Sequence, residues 1–459
     1  MTVKLACFGA YDIRGQLGPA LNEAVAALVG RAFGQVVGAG SVVVGRDCRA
    51  SSQALAAALT VGLREAGSQV LDLGLCGTEE VYFATAHLAA MGGVMVTASH
   101  NPMDYNGMKL VGARAAPLSE AAFGAVRALA EGGAFAPRAM GAWRAVDTRA
   151  DYVARVLSLV DLAALRPMSV LVNAGNGAAG PTFDAIAAEL ARRGVPLRFQ
   201  RLHHAPDGTF PNGIPNPLLV ENRGVTAAAV VAARADFGVA WDGDFDRCFL
   251  FDDAGGFVDG EYVVGLLAEA FVAREPGAVV VHDPRVIWNT QDVVARAGGR
   301  AVMARTGHAY LKAAMRQTGA VYGGEMSAHH YFRDFMACDS GMIPWLLLAE
   351  LVSRRGQSLQ DLVARRRAAF PSSGEVNFRV ADVGAAMAAV EAVYGPQAVG
   401  REAVDGLSLE FGNWRFNLRG SNTEPLLRLN VEARGRADLV AAGVAGVSAV
   451  IERVPGGSV

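Results

Sequence analysis

The 459-residue chain is long enough for about three domains, or four if one is small, and 52% apolar against 19% charged residues excludes a disordered chain. Its 42 basic and 44 acidic side chains nearly cancel, which leaves no global field for a polyanion and excludes nucleic acid as the main partner. No apolar run reaches the ~20 residues that cross a bilayer, no secretory signal is visible, and the five cysteines (7, 48, 76, 248, 338) are scattered and lack a CxxC; the expectation is a cytoplasmic protein with no membrane partner and no structural zinc.

In chain order, short valine-rich runs alternate with helical patterns over the first three quarters. The runs at 42–44, 94–96, 170–172, 237–240 and 279–281 read as buried strands. The stretches 21–33, 52–65, 120–130, 182–193, 262–274 and 310–316 read as helices, with a linker helix at 148–160. This alternation predicts α/β layers with mixed or parallel sheets. From about 375 the pattern changes to strands at 375–380, 407–411, 415–418 and 427–431 and helices at 383–393 and 437–451, which predicts a smaller α+β module. The domains are expected at 1–145, 146–250, 251–370 and 371–459. Three times an apolar run ends in a polar loop: GGVMV before TASHNP, DFGVAW before DGDFDR, and AVYGG before EMSAHH. Ligands of α/β sheets gather at the carboxyl ends of strands, so three such loops suggest three related domains facing a central cleft.

The first loop places Ser99 in a turn after a buried strand, a setting that suits a nucleophile or phosphate carrier, with His100 beside it to orient it. A plain Ser/Asn turn is the competing reading. In the second, Asp242, Asp244 and Asp246 converge if the backbone curves at Gly243; three hard oxygens on one loop suit Mg²⁺, against the alternative of a solvated acidic turn. The third offers Glu325, Ser327 and His329 at alternate positions, a claw for sugar hydroxyls if the segment is extended. A fourth, RGSNTEP, gathers Arg419, Ser421, Asn422 and Thr423 around a glycine as an anion pocket. Lysine occurs only at 4, 109 and 312, so a step that needs an amine able to exchange a proton has three candidates. Lys109 follows Ser99 by ten residues; crowding by Arg14 and Arg247 is expected to lower its pKa and make it a general acid or base.

TASHNP, DGDFDR, GEMSAHH and RGSNTEP, together with YDIRG at 11–15, stand in the order and spacing of the α-D-phosphohexomutases, and the sequence resembles that family over nearly its whole length. HDPRVIWNT at 282–290 and the 324–347 stretch look particularly like the bacterial mannose-type members. The resemblance implies four domains, three related α/β domains and a C-terminal α+β domain. It implies reversible transfer between the 1- and 6-positions of a hexose phosphate, through phosphorylated Ser99 and a hexose 1,6-bisphosphate. Ser99, Asp242, Asp244 and Asp246 would hold Mg²⁺. Ser99, His100, Lys109 and Arg247 would form the reacting centre. Glu325 and Ser327 would bind the 3- and 4-hydroxyls, and Arg419, Ser421, Asn422 and Thr423 the non-reacting phosphate. Tyr11, Arg14, Arg285, His308 and His329 would complete the substrate site, Arg285 in a purely ionic role because some relatives carry lysine there. The expected protein is a monomer acting on mannose phosphates, with phosphoglucomutase or dual activity as the alternative. A haloacid-dehalogenase-type phosphatase and a non-catalytic sugar-phosphate binder are remoter readings.

Overall fold

A computed structural model of the chain describes residues 4–420 and 426–454. Two compact units emerge: unit 1, Met1–Phe257 with His329–Gly356, and unit 2, Val258–Ala328 with Gln357–Val459. Among the described residues no helix is long and apolar enough to cross a membrane.

Unit 1 opens with a six-stranded mixed sheet of Ile13–Gln16 (β1), Ser41–Arg46 (β2), Gln69–Leu75 (β3), Gly92–Val96 (β4), Tyr105–Gly112 (β5) and Trp143–Ala145 (β6), in the order β1-β5-β4-β2-β3-β6. Its valine runs are continuous because both faces are covered. Val42 and Val44 face a core with Phe33, Leu59 and Leu63, while Val43 faces a second cluster with Leu71, Val81 and Met95. A second sheet contains Met168–Asn173 (β7), Leu197–Leu202 (β8), Phe237–Trp241 (β9) and Cys248–Phe251 (β10). β9 lies between parallel β7 and antiparallel β10. β4 stands in the same position, between parallel β2 and antiparallel β5. The TASHNP and DGDFDR loops therefore leave equivalent strands, the internal echo read in the sequence.

Several helices escape the sequence pattern. Thr78–His87 is buried from Thr78 through Thr85, so it has no polar face and no 3.6-residue rhythm. Met342–Arg355 is likewise almost wholly buried; Pro344 sits in its first turn, where no intrahelical donor is lost. Its Trp345 packs on Phe183 and Phe199. The predicted 21–33 helix runs instead over Glu23–Val37, because Asn22 caps it by accepting the Val25 N–H at 3.0 Å.

In unit 2, Val279–His282 pairs in parallel with Arg300–Met303 and with Tyr322–Gly324. The C-terminal sheet is antiparallel, in the order Ser372–Arg379, Leu426–Ala433, Trp414–Gly420, Leu407–Glu410, Gly400–Glu402. Phe378, Leu418, Leu427 and Leu429 share a core with residues of the helices Val383–Tyr394 and Ala437–Ile451.

Candidate active site

The serine loop is held by a network that begins one strand away. Asp47, just past β2, accepts the Thr97 hydroxyl at 2.7 Å, and Thr97 Oγ1 accepts the Ser99 N–H at 2.9 Å. Arg49, 3% exposed, donates to four backbone carbonyls of the loop: Ser99 (3.0 Å), Asn101 (2.5 Å), Pro102 (2.9 Å) and Tyr105 (3.2 Å). Under this restraint Ser99 adopts φ +50°, a left-handed conformation uncommon for serine. Gly243 supplies the close approach from the aspartate loop, since a Cβ there would lie 2.6 Å from the Ser99 carbonyl oxygen.

Ser99 Oγ donates to Asp242 Oδ2 at 2.5 Å and lies 3.1 Å from Arg247 Nη2 and 3.0 Å from His100 Nδ1. Arg247 also donates to Asp242 through Nε at 2.9 Å and contacts His100 Nδ1, which fixes that nitrogen as an acceptor. Burial, reinforced by the charges of Arg247 and Arg14, holds His100 well below its ordinary range, so it is neutral. Burial raises the Asp242 carboxyl to about 6, against the pull of Arg247 and with the help of Asp246 and Asp244.

Asp242, Asp244 and Asp246 each bring one oxygen within 4.8 Å of the others. On each, Oδ1 is buried and has no hydrogen-bond partner among the described residues. Three buried carboxylates that converge, each with an oxygen lacking a hydrogen-bond partner, make the donor set of a hard divalent cation, and Mg²⁺ fits it. Lys109 on β5 places Nζ 2.6 Å from Asp244 Oδ2 and contacts Asp246. Thr78 donates to the same Asp244 oxygen at 2.6 Å.

Two expectations require correction. The Lys109 pKa is raised, not lowered: burial and Arg14 act downward, but the two aspartates in contact outweigh them. The Glu325–His329 segment is not extended. The Ala328 N–H donates to Glu325 O at 3.0 Å with Ala328 at φ +70°, so the side chains at 325, 327 and 329 do not alternate along a strand. His329 belongs to unit 1, where Nε2 lies 3.6 Å from Asp246 Oδ1. Arg14 is held there by Asp12 at 2.9 Å and donates to the Thr97 carbonyl at 3.2 Å, with Tyr11 half-buried just before β1.

Unit 2 brings together a second set. Arg285 donates to Asp283 at 2.6 Å and to Ser327 Oγ at 3.1 Å, and it lies 3.8 Å from Glu325. Burial disfavours its charge, but Asp283, Glu375 and Glu325 more than offset this and raise its pKa. Glu325 Oε1 accepts the Gly307 N–H at 2.9 Å, which anchors the start of the helix His308–Thr318 and so positions His308. Arg419 is buried and lies 3.4 Å from Glu375. Ser421, Asn422 and Thr423 lie outside the described residues. Sequence reasoning missed Asp47, Arg49, Thr78, Asp283, Glu375 and Arg428. The first two had a visible signal, a polar Asp-x-Arg separated by two residues from the 42–44 valine run, much as polar loops follow the other runs.

Four family models match in succession: domain I of the phosphoglucomutase/phosphomannomutase family over residues 6–136, domain II over 150–255, domain III over 259–370 and the C-terminal domain over 375–448. The chain belongs to the phosphoglucomutase/phosphomannomutase family. A phosphomannomutase of Salmonella montevideo is 56% identical over 442 residues, covering 95% of this chain and 97% of that protein. A protein of Xanthomonas campestris pv. campestris named as phosphohexose mutases is 56% identical over 438 residues, covering 95% and 97%. Among solved structures, a phosphoglucomutase/phosphomannomutase family protein from Burkholderia thailandensis is 31% identical, covers 99% of both chains and superposes with a TM-score of 0.86. Membership in this family makes the four α/β and α+β modules one architecture and the protein an enzyme of the mutase type.

Proposed function

We propose that the protein is a phosphomannomutase that interconverts mannose 1-phosphate and mannose 6-phosphate. The observation that carries this reading is Ser99, whose Oγ lies 2.5 Å from Asp242 and 3.1 Å from Arg247 in a buried loop beside three convergent aspartates. Phosphoryl transfer depends on positioning and charge neutralisation more than on covalent chemistry, and this loop provides both. Ser99 carries the phosphoryl group at rest and gives it to the free sugar hydroxyl; the resulting hexose 1,6-bisphosphate returns its other phosphoryl group to the serine. Asp242, Asp244, Asp246 and a phosphoserine oxygen would hold Mg²⁺, which neutralises phosphoryl charge when bound. Arg247, Arg14 and neutral His100 orient the serine and its phosphate. Lys109, paired with Asp244 and Asp246, serves as a fixed positive charge, because an amine held on two carboxylates keeps its proton.

In unit 2, Glu325, Ser327 and Arg285 read the sugar and His308 contributes an imidazole to binding; His329 of unit 1 is read as a further substrate-binding imidazole. Arg419, with Ser421, Asn422 and Thr423, takes the phosphate not in transfer. The family's four modules are proposed to divide near 145, 250 and 370. The enzyme is read as a cytoplasmic monomer, a compartment supported by five cysteines that form no disulfide. Glucose phosphates are a second substrate on this reading: the hydroxyls assigned to Glu325 and Ser327 are common to both sugars, and a 56%-identical relative is named more broadly for phosphohexoses.

The test follows mannose 1-phosphate and glucose 1-phosphate conversion, with intact-mass measurement, for the wild type and Ser99→Ala. The wild type is expected to carry a phosphate adduct that hexose phosphate exchanges, and to have the higher kcat/KM for mannose 1-phosphate. Ser99→Ala should lack the adduct and lose at least about 10³-fold in turnover. Full turnover in Ser99→Ala would overturn the serine's role, and a glucose preference would overturn the mannose assignment.

A further inference from the structure

In the C-terminal sheet, Arg419 stands directly opposite Arg428 on the neighbouring strand, and Arg428 stands opposite Asn377 on the next. Leu418, Leu427, Leu429 and Phe378 occupy the alternate positions and face the core, so the two arginines share the other face. Like charges directly opposite on adjacent strands repel. The register resolves this with one residue. Glu375, two positions before Asn377, lies 3.4 Å from Arg419 and 3.4 Å from Arg428. Arg285, from the loop after Val279–His282, approaches the same carboxylate at 3.6 Å. Three guanidiniums from three segments thus converge on one carboxylate. They are not all satisfied by it: Arg419 is 5% exposed, and its Nε is buried without an acceptor among the described residues. Arg285 is also paired with Asp283 and lies 3.8 Å from Glu325, so the open group is the Arg419 donor. A buried donor left open where three guanidiniums meet is a place for an anion with more oxygens than a carboxylate has.

We propose that Glu375 is the internal counter-ion of the phosphate-reading arginines and weakens their grip by competing with the phosphate dianion for the same guanidiniums. The inference rests on the reading of Arg419 given above and extends the phosphate pocket to Arg428 and Arg285, which share its carboxylate. Without a bound anion, Glu375 holds the three arginines together and keeps their mutual repulsion in check. With an anion bound, its negative charge remains nearby and opposes tight retention. A mutase needs that moderation, since each phosphate of the bisphosphate must be released from this pocket as well as bound by it.

Inorganic phosphate is the probe, titrated calorimetrically into the full chain. The site is defined as the binding component lost in Arg419→Ala. Glu375→Gln keeps the shape and an acceptor oxygen but removes the charge. It should tighten phosphate binding at this site by about fivefold, and lower both KM and kcat for hexose phosphate. Glu375→Asp keeps the charge but withdraws it by one methylene; it should tighten binding by a smaller factor, and it decides the matter if the glutamine variant folds poorly. Unchanged or weaker phosphate binding in these variants, while Arg419→Ala still loses the site, would show that Glu375 only orders the arginines and would overturn the inference alone. If Arg419→Ala binds phosphate as the wild type does, the pocket reading fails and the inference fails with it.

Discussion

The two units solve opposite charge problems. In unit 1, three aspartates meet two cationic side chains, Lys109 and Arg247, and each aspartate keeps one oxygen unsatisfied. Around Glu375 in unit 2, three arginines share one carboxylate, Arg285 pairs with Asp283 as well, and a buried Arg419 nitrogen stays open. The first arrangement leaves carboxylate oxygens open and the second leaves a guanidinium donor open. Neither is the most stable way to build a core, since buried unpaired polar atoms are costly. Each imbalance marks what is to be bound: a divalent cation beside the serine, and a phosphate beside the arginines.

The largest effect should come from changing the deficit in unit 1. Asp244→Asn removes one of the three carboxylates and one of the two carboxylate partners of the Lys109 amine. Turnover is expected to fall by about 10²-fold or more. A second readout separates metal loss from general damage. Binding to the native state alone raises Tm, so Mg²⁺ should stabilise the wild type, EDTA should reverse this, and Asp244→Asn should respond to neither at millimolar metal. A variant that stays active and Mg²⁺-responsive would show that the cluster does not need its three carboxylates, and the comparison between units would lose its first half.

A smaller effect is expected where unit 1 is held by geometry and not by net charge. Arg49 spreads its two terminal nitrogens over the carbonyls of Ser99, Asn101, Pro102 and Tyr105. Lysine keeps the charge but has one nitrogen and no fork. Arg49→Lys should lower kcat about tenfold through a loosened serine loop, with KM for hexose phosphate changed by less than about twofold. Dividing rates by the phosphoserine content from intact mass separates mispositioning from a loss of folded enzyme. A proportional loss of kcat and phosphoserine would reduce Arg49 to a structural role.

The two halves were not equally legible. Ser99–His100 and Asp242–Arg247 are contiguous motifs, and the strands before them are valine runs, so both the chemistry and its place at a strand end could be read directly. Lys109 stands out because lysine is rare, but the direction of its pKa shift has no local signal: the two contacts that decide it join residues 135 and 137 positions apart. Glu375 and Arg428 carried no local signal, because they meet only through the register of an antiparallel sheet. The helices Thr78–His87 and Met342–Arg355 were lost for another reason: burial on all sides erases the periodicity that reveals a helix.

The smallest effect concerns a buried carboxyl in unit 2 whose direct partner is a hydroxyl and not a guanidinium, which sharpens the contrast with Glu375. Glu261 begins the first full turn of the helix Gly260–Arg274 and is 1% exposed. One oxygen accepts the Ser372 hydroxyl, and the other is buried without a partner among the described residues. Burial, with the charge of Asp259 and a smaller push from Glu432, raises its pKa from 4.5 to about 8, against the Ser372 hydrogen bond. The folded state therefore holds a proton that the unfolded chain releases above about 4.5. Between these two values the folded state binds more protons, so stability falls as pH rises. The neutral carboxyl's contribution is fully present below pH 4.5 and is lost as pH climbs through about 8. Glu261→Gln mimics the protonated form at every pH. Its Tm should match the wild type near pH 4.5 and exceed it by a few degrees at pH 9, with the gap opening steadily across that window. Because every other group titrates equally in the two proteins, the difference isolates this one carboxyl. A gap that stays constant with pH would show that Glu261 is ionised in the folded state, and unit 2 would then have to accommodate a buried charge held directly by one hydroxyl.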